Sequence, residues 1–394
     1  MWFGVAGLIT SSFALWVSSG GRIADGAVDA SLASLVIAVA ARHDGVVRGA
    51  FVLGRRVRRY RLHQLTFHLG QLHRAMAIAA TMWFAIAVVD AAPEDVLACV
   101  LGGATLVLLG AMMWTARDAV RQHRHDRFER VHRYAGWTSL GPVTVLVLRQ
   151  AAAPLQHGTG TAVTAAVTPV ALLVVVLALV VHPWTTVRRL PVEVLDVTDR
   201  LVVLALVGSR KVGEFVRVSL DGAEWHAFAV ATTGCEGPGR YCLVIRRAGD
   251  WTENLAREAQ GGLPRGLLVR TMRGYGFMYH AQTFRRVLFV ATGAGIGPVL
   301  PYLLGSSLVG YECLWLGREH RTSMGKDLVE RVVAGGGVTL VDTSAGRPDL
   351  ASLVRRRAPY VDAVFVVSND TVREQVAQVC EEMGVAWYGP TFDS

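Results

Sequence analysis

Apolar residues in this chain follow two rhythms. In the first half they form long runs: Met1–Val17, Ala27–Ala41, Leu65–Val89, Val96–Trp114, Tyr134–Leu148 and Ala162–Val181. Runs near ~20 residues are long enough to cross a bilayer core of ~30 Å, although several of these fall short and Ala27–Ala41 is the least distinct. Residues 1–190 are therefore expected to form an α-helical transmembrane bundle of about six spans. After Pro183 the period shortens. Val192–Leu195, Leu201–Leu206, Phe215–Val218 and Tyr241–Ile245 are separated by turn residues such as Asp221-Gly222 and Gly237-Pro238-Gly239. That spacing predicts a small antiparallel β-barrel over residues 191–283. From Phe284 strands alternate with helical patterns. Val287–Ala291, Glu312–Leu316, Val338–Val341, Ala363–Val367 and Ala386–Tyr388 predict strands, with helices near Lys326–Ala334, Leu350–Arg356 and Thr371–Met383. Residues 284–394 are thus expected to form an α/β domain with a parallel sheet, whose ligands bind at the C-terminal strand ends.

Charge refines the first half. The net charge is +9, and only Lys211 and Lys326 are lysines, so arginine carries the excess. Arg48, Arg55, Arg56, Arg58, Arg59 and Arg61 share one loop, Arg117 to Arg133 another, and Arg188 and Arg189 follow the last run. The alternate loops, Asp90–Asp95 and Gln150–Gly160, have neither arginine nor lysine. The positive-inside rule then predicts an integral protein of the inner or plasma membrane with both termini and the C-terminal half in the cytoplasm. The first run has no basic leader or cleavage site, so it reads as a retained span. No zinc-finger spacing or aromatic-basic platform accompanies the charge, which argues against nucleic acid and for the lipid bilayer as the partner. The five cysteines are scattered, and neither a metal site nor a disulfide framework is expected.

Chemistry concentrates in two places. The apolar strand Val287–Ala291 runs through Thr292 into Gly293, Gly295, Gly297 and Pro298. Such a turn lets the backbone approach a pyrophosphate and offers amide N–H groups at the helix it is expected to open. In the bundle, His63, His68 and His73 sit at the entry of the third run, His132 at the entry of the fifth and His182 at the exit of the sixth. Ionisable groups within a span mark a site by default, although interfacial ones also simply reach for water.

Further stretches carry a resemblance. They are Phe67-His68-Leu69-Gly70-Gln71-Leu72-His73, Phe128 through Trp137, Glu224-Trp225-His226-Ala227-Phe228-Ala229, Gly249-Asp250-Trp251-Thr252, Arg273-Gly274-Tyr275-Gly276, the glycine turn, Asp342 through Asp349, and the tail Gly389–Ser394. In order and spacing the chain resembles the ferric reductase/NADPH oxidase superfamily. Within it, the chain is most similar to ferric-reductase-like integral membrane proteins, a type also found fused to adenylation domains.

The resemblance implies a ferredoxin-reductase-like module with FAD and NAD(P)H as cofactors. Trp225, His226 and Phe228 match the His-Pro-Phe-Thr strand that packs on the flavin, with Ala227 and Ala229 replacing the proline and the hydroxyl residue. Gly249, Asp250, Trp251 and Thr252 match a turn beginning a helix near the flavin, and Gly274, Tyr275 and Gly276 a Gly-Pro-Tyr-Gly turn lacking its proline. The glycine turn is assigned to the dinucleotide pyrophosphate. Arg318 and Arg321 pair with a 2′-phosphate or stay solvated, and Phe392 caps the flavin face. At most one haem b is implied, on His73 and His132 with His68 nearby, because the paired histidines of dual-haem members are missing. The Cys-Gly motif facing the nicotinamide is replaced by Val367-Ser368-Asn369-Asp370. Two readings follow: electrons pass from NAD(P)H through FAD to a haem or a small, quinone-like acceptor at the cytoplasmic leaflet, or the scaffold is redox-inactive and serves as a sensor or partner of a biosynthetic enzyme. A ferric reductase with a single haem is a third.

Overall fold

The structure, a computed structural model, describes residues 23–57, 66–91, 93–155, 160–233, 237–305 and 309–389. The first apolar run, His63, Cys235 and Phe392 lie outside these residues. The chain divides into two compact units, one of residues 1–43 and 68–182 and the other of residues 44–67 and 183–394.

The first unit is helical. Its helices are α1 (Ile23–Ala40), α3 (Leu69–Ala91), α4 (Val96–Thr115), the short α5 (Asp118–His123), α6 (His125–Leu155) and α7 (Gly160–Thr185). Small residues let the helices approach: a Cβ on Gly102 of α4 would lie 2.4 Å from the Val88 side chain of α3. Leu32, Val143, Val147 and Leu173 form a buried cluster. Among the described residues, Leu69–Ala91, Val96–Thr115 and Ala166–Thr185 are long and apolar enough to cross a membrane, and a fourth crossing arises if Gly26–Ala40 and Asp44–Arg56 count as one broken span. Of the about six expected, three are thus clear spans among the described residues, and the first run lies outside them. Tyr134–Leu148 is not among the three: within the helix His125–Leu155 it is a short run closed off by Arg133 and Arg149.

The second unit opens with α2 (Asp44–Val57), a helix where the run of arginines predicts a loop. Its apolar side seats Phe51 against Tyr275 and Tyr279. The Arg217 guanidinium grips Asp44 with two bonds of 3.0 and 3.1 Å.

Two four-stranded antiparallel sheets follow. One has the order β1 (Val187–Leu190), β8 (Leu267–Tyr275), β4 (Glu214–Ser219), β5 (His226–Ala229); the other β2 (Val192–Val197), β3 (Leu201–Val207), β7 (Arg240–Arg246), β6 (Thr232–Thr233). They enclose a core of Val202, Leu204, Val216, Val218, Leu243 and Ile245, closed by Trp251 and Leu255 of α8 (Asp250–Gln260).

The parallel sheet has the order β11 (Val338–Asp342), β10 (Gly310–Gly317), β9 (Arg286–Thr292), β12 (Ala363–Val367), β13 (Ala386–Tyr388). All four pairings are parallel. Alternation along β9 explains its burial on both sides. Val287, Phe289 and Ala291 pack with Ile296, Leu300 and Tyr302 on one face. After α9 (Leu300–Leu303), α10 (His320–Met324) and α11 (Lys326–Ala334) come α12 (Leu350–Arg355) and α13 (Asp370–Glu382), with which Leu288 and Val290 pack on the other face.

Candidate functional site

In the parallel sheet β9 is the first strand in sequence, and the chain proceeds from it to β10 on one side and reaches β12 on the other. The gap between β9 and β12 is therefore a topological switch point, where open α/β sheets leave a crevice for ligands. The glycine turn stands at its mouth. Thr292 and Ser368, at the tips of the two strands, share a hydroxyl–hydroxyl hydrogen bond of 2.8 Å across it. A Cβ on Gly295 would lie 2.5 Å from the Val367 carbonyl oxygen, so only glycine fits there. Gly293 has φ of +48°, with nothing within 4 Å of a built Cβ, and its carbonyl accepts the Trp315 indole N–H at 2.9 Å. The turn differs from expectation in one respect. Gly293–Ile296 is a 3-10 turn, and the helix beyond Pro298 is only Leu300–Leu303. Anion contacts here would rest on turn amides rather than on a long helix dipole.

A second cluster sits on the antiparallel side. In the register Val216 opposes Phe228 and Val218 opposes His226, which turns both aromatic residues toward the barrel core. There they meet Trp251: His226 and Trp251 have ring centroids 4.3 Å apart, and Phe228 and Trp251 5.8 Å. His226 Nε2 lies 2.8 Å from a Glu224 oxygen. The Trp251 indole N–H is buried without a hydrogen-bond partner. The Thr252 hydroxyl accepts the amides of Ala248 and Gly249 and donates to the Gly249 carbonyl, fixing the turn before Asp250.

Other candidates go elsewhere. Trp225 packs edge-on against Trp184 beneath the Arg270 guanidinium and donates its indole N–H to the Gly222 carbonyl. Gly274 lies against the Phe215 ring, where a Cβ would approach to 2.3 Å. Tyr275 stacks on Tyr279 at 3.9 Å with Arg48 over its outer face. Burial, then Tyr279 and Glu214, push the Tyr275 hydroxyl above its ordinary range. Gly276 donates to the Gly213 carbonyl. The aromatic cluster and the glycine turn are linked through β7. Ala231, two residues past β5, bonds the Cys242 carbonyl, and a Cβ on Gly297 would lie 3.8 Å from that of Val244.

Arg318 and Arg321 are exposed just beyond β10, and neither has an ion-pair partner among the described residues. Asp342 ends the neighbouring strand opposite Gly317. Its carboxyl, bonded by the Ser344 hydroxyl and amide, is held below the usual carboxylate range.

In the helical unit His73 and His132, from α3 and α6, face each other with centroids 6.2 Å apart. His73 donates its Nδ1–H to the Ala38 carbonyl at 2.9 Å, while His132 Nδ1 is buried without a partner. His68 instead contacts Gln71. No three histidine, cysteine or carboxylate groups converge among the described residues.

Two features escaped sequence reasoning. Glu214 is buried, its carboxylate oxygens unbonded by any hydrogen-bond donor, with Arg273 and Arg210 at 3.6 and 3.9 Å. An acid in register with the inward Val216 and Val218 was the available signal. Cys242 is disulfide-bonded, whereas Cys99, Cys313 and Cys380 are free. Scattered spacing concealed the bond.

A family model described as Adenylate-forming reductase 03009, C-terminal domain, matches residues 277–394. Adenylate-forming reductase 03009 of Coprinopsis cinerea is 30% identical over 349 residues, covering 83% of this chain and 33% of the relative. The chain thus spans about a third of that protein's length. A ferredoxin NADP+ reductase from Neisseria gonorrhoeae, solved with bound FAD and NADP, aligns at 13% identity over 52% of this chain and 99% of its own, with a TM-score of 0.40. A flavohemoglobin from Malassezia yamatoensis, solved with FAD and heme, aligns at 13% identity over 94% and 98%, with a TM-score of 0.43.

Proposed function

We infer that this chain is a membrane-embedded oxidoreductase that takes reducing equivalents from NAD(P)H and delivers them through FAD to a haem or a small membrane-soluble acceptor. The observation that carries this reading is the glycine turn at the β9–β12 switch point, packed so tightly on Val367 that residue 295 must lack a side chain. It supports a backbone-lined cradle for a dinucleotide pyrophosphate. The name of the curated relative points the same way, since it is called a reductase.

The residues present fit the groups invoked. For the flavin, His226, Phe228 and Trp251 offer aromatic faces, and the unpartnered Trp251 N–H is a donor in search of an acceptor. FAD, when bound, supplies the change from two-electron to one-electron transfer. The chain's own part is to hold the ring, exclude water with the Trp251 wall, and keep His226 oriented through Glu224. Arg318 and Arg321 would hold a 2′-phosphate, which guanidinium geometry suits.

For a haem, the fit lies in the histidine pair. His73 and His132, facing each other from α3 and α6 with ring centroids 6.2 Å apart, would be the residues to hold it, and a bound haem would supply one-electron transfer. The Ala38 carbonyl orients His73 as an outer-shell partner orients a ligand. His68 is placed outside this pair.

A redox-inactive scaffold is the second reading, and the switch point favours it in one respect. Ser368 and Asn369, standing in place of a Cys-Gly pair, are engaged in bonding Thr292 and capping α13. Purifying the full chain from membranes in detergent separates the two. Flavin absorbance, its bleaching by NADPH or NADH, and reduction of ferricyanide are expected. A colourless protein that oxidises neither nucleotide would leave only the inactive scaffold.

A further inference from the structure

We propose that the cavity at the end of α4 binds the phosphate headgroup of an anionic phospholipid whose acyl chains lie along that helix; this rests on the membrane reading of α4. The cavity, about 240 Å³, is lined by Trp114, Thr115, Val120, His123, Arg124 and Arg127. No carboxylate lines it. Of the nearby acids, Asp118 is committed elsewhere, to Arg74 and Arg121 at 3.4 Å each, and the exposed Asp126 pairs with neither Arg124 nor Arg127 among the described residues. Arg124 and Arg127 have no ion-pair partner among the described residues. His123 spends Nδ1 on the Ala119 carbonyl, which leaves Nε2 as its outward nitrogen. Two uncompensated guanidiniums beside an imidazole make an anion site, and the planar fork of arginine matches phosphate oxygens in pairs.

The apolar half of the argument comes from α4 itself. Val100, Val107 and Trp114 recur at seven-residue spacing, which places them on one face. They are 61%, 73% and 59% exposed, and the stripe runs into the cavity. Trp114, with the Arg117 guanidinium 4.3 Å over its ring, has the half-apolar, half-charged surroundings that tryptophan takes at a membrane interface. A free anion uses the arginines and ignores the stripe, whereas an anionic lipid uses both.

The test is native mass spectrometry of the full-length, detergent-purified protein with phosphatidylglycerol, phosphatidylcholine or inorganic phosphate added. Phosphatidylglycerol should bind about tenfold more tightly than phosphatidylcholine, given the attraction of two arginines for an anionic headgroup. R124Q/R127Q should abolish that preference, and the charge-preserving R124K/R127K should keep most of it. Equal binding of the two lipids, or an unchanged R124Q/R127Q variant, overturns the assignment. Displacement of phosphatidylglycerol by millimolar inorganic phosphate also overturns it, in favour of a soluble anion. An alkaline carbonate wash of the membranes keeps the two readings apart. Release of the protein defeats the membrane reading, while retention without lipid preference defeats only the cavity.

Discussion

The tip of the parallel sheet and the aromatic wall of the antiparallel sheets make their sites from opposite materials. At the β9–β12 switch point the working surface is backbone: Gly293 adopts a left-handed φ, Gly295 presses on a carbonyl, and Thr292 and Ser368 tie the strand ends. On the barrel the surface is side chain, with His226, Phe228 and Trp251 converging from a strand and a helix, and Glu214 buried on the adjoining strand. A backbone site fails when atoms are added. A side-chain site fails when they are taken away, and the loss then divides between stability and binding according to whether the missing group had a partner.

The largest effect is expected where a buried charge loses its counterpart. Glu214→Ala leaves the Arg210 guanidinium in the interior with Tyr241 under it and no acid beside it. Breaking a buried ion pair costs about 3–5 kcal/mol. The Glu214 contacts exceed hydrogen-bond length and Arg273 is partly solvated, so the lower end is expected. Urea unfolding of the purified chain measures it. A loss under ~1 kcal/mol would show that water enters the cluster and that the carboxylate is a surface pair in disguise.

Next comes an addition. Gly295→Val must push the turn off Val367, and overpacking of this kind costs about 1–3 kcal/mol. Nicotinamide-nucleotide binding should vanish while flavin absorbance remains, which equilibrium dialysis with NADPH can check. Gly293→Ala meets no atoms, so its cost is limited to placing a Cβ at positive φ, about 1 kcal/mol. Equal effects of the two substitutions would mean that close approach to Val367 is not what the turn requires.

How far these sites were legible follows from the same contrast. The parallel strands announce themselves because burial on both faces demands unbroken Val, Leu, Phe and Ile, and the glycines of the turn are visible as glycines. β8 was missed because Arg270, Thr271 and Arg273 break its apolar run where that strand is solvated. α2 was missed because its arginines read as a loop, although Phe51, Arg48 and Arg55 lie on Tyr275 and Tyr279 of the second unit. In the bundle, histidine spacing along one helix could not show that His73 would face His132 from another. A pairing across helices has no period in sequence.

Trp251→Phe sharpens the side-chain half of the comparison. It removes one N–H and keeps most of the ring. Because that N–H is buried and unbonded in the protein alone, its removal costs no hydrogen bond, and stability should fall only slightly, by the packing the smaller ring gives up. Flavin affinity should fall by about tenfold, the value of one hydrogen bond at ~1–1.5 kcal/mol. Fluorescence titration with FAD after mild removal of the flavin reports the affinity, and thermal melting the stability. Loss of stability without loss of flavin would place Trp251 in the barrel core alone.

The smallest effect belongs to a group that serves neither site. Asp349 caps α12, accepting the Ser352 amide at 3.0 Å and its hydroxyl at 2.5 Å, and these bonds hold its carboxyl below the usual range. A depressed folded-state value means the native protein holds its proton less readily than the unfolded chain. The contribution is therefore present above the unfolded value of ~3.9 and is lost as pH falls through the lower folded value. Asp349→Ala should lower the melting temperature slightly at pH 7, and the difference should shrink as the pH falls through the lowered folded-state value. Asp349→Asn should retain the cap throughout, since the amide oxygen accepts the same N–H whatever the pH. Because the carboxyl is solvent-exposed, neither substitution should move nucleotide or flavin binding. If NADPH affinity followed the Asp349 titration, the loop between β11 and α12 would have to be counted with the backbone-built site, and the contrast between the two halves would be redrawn around it.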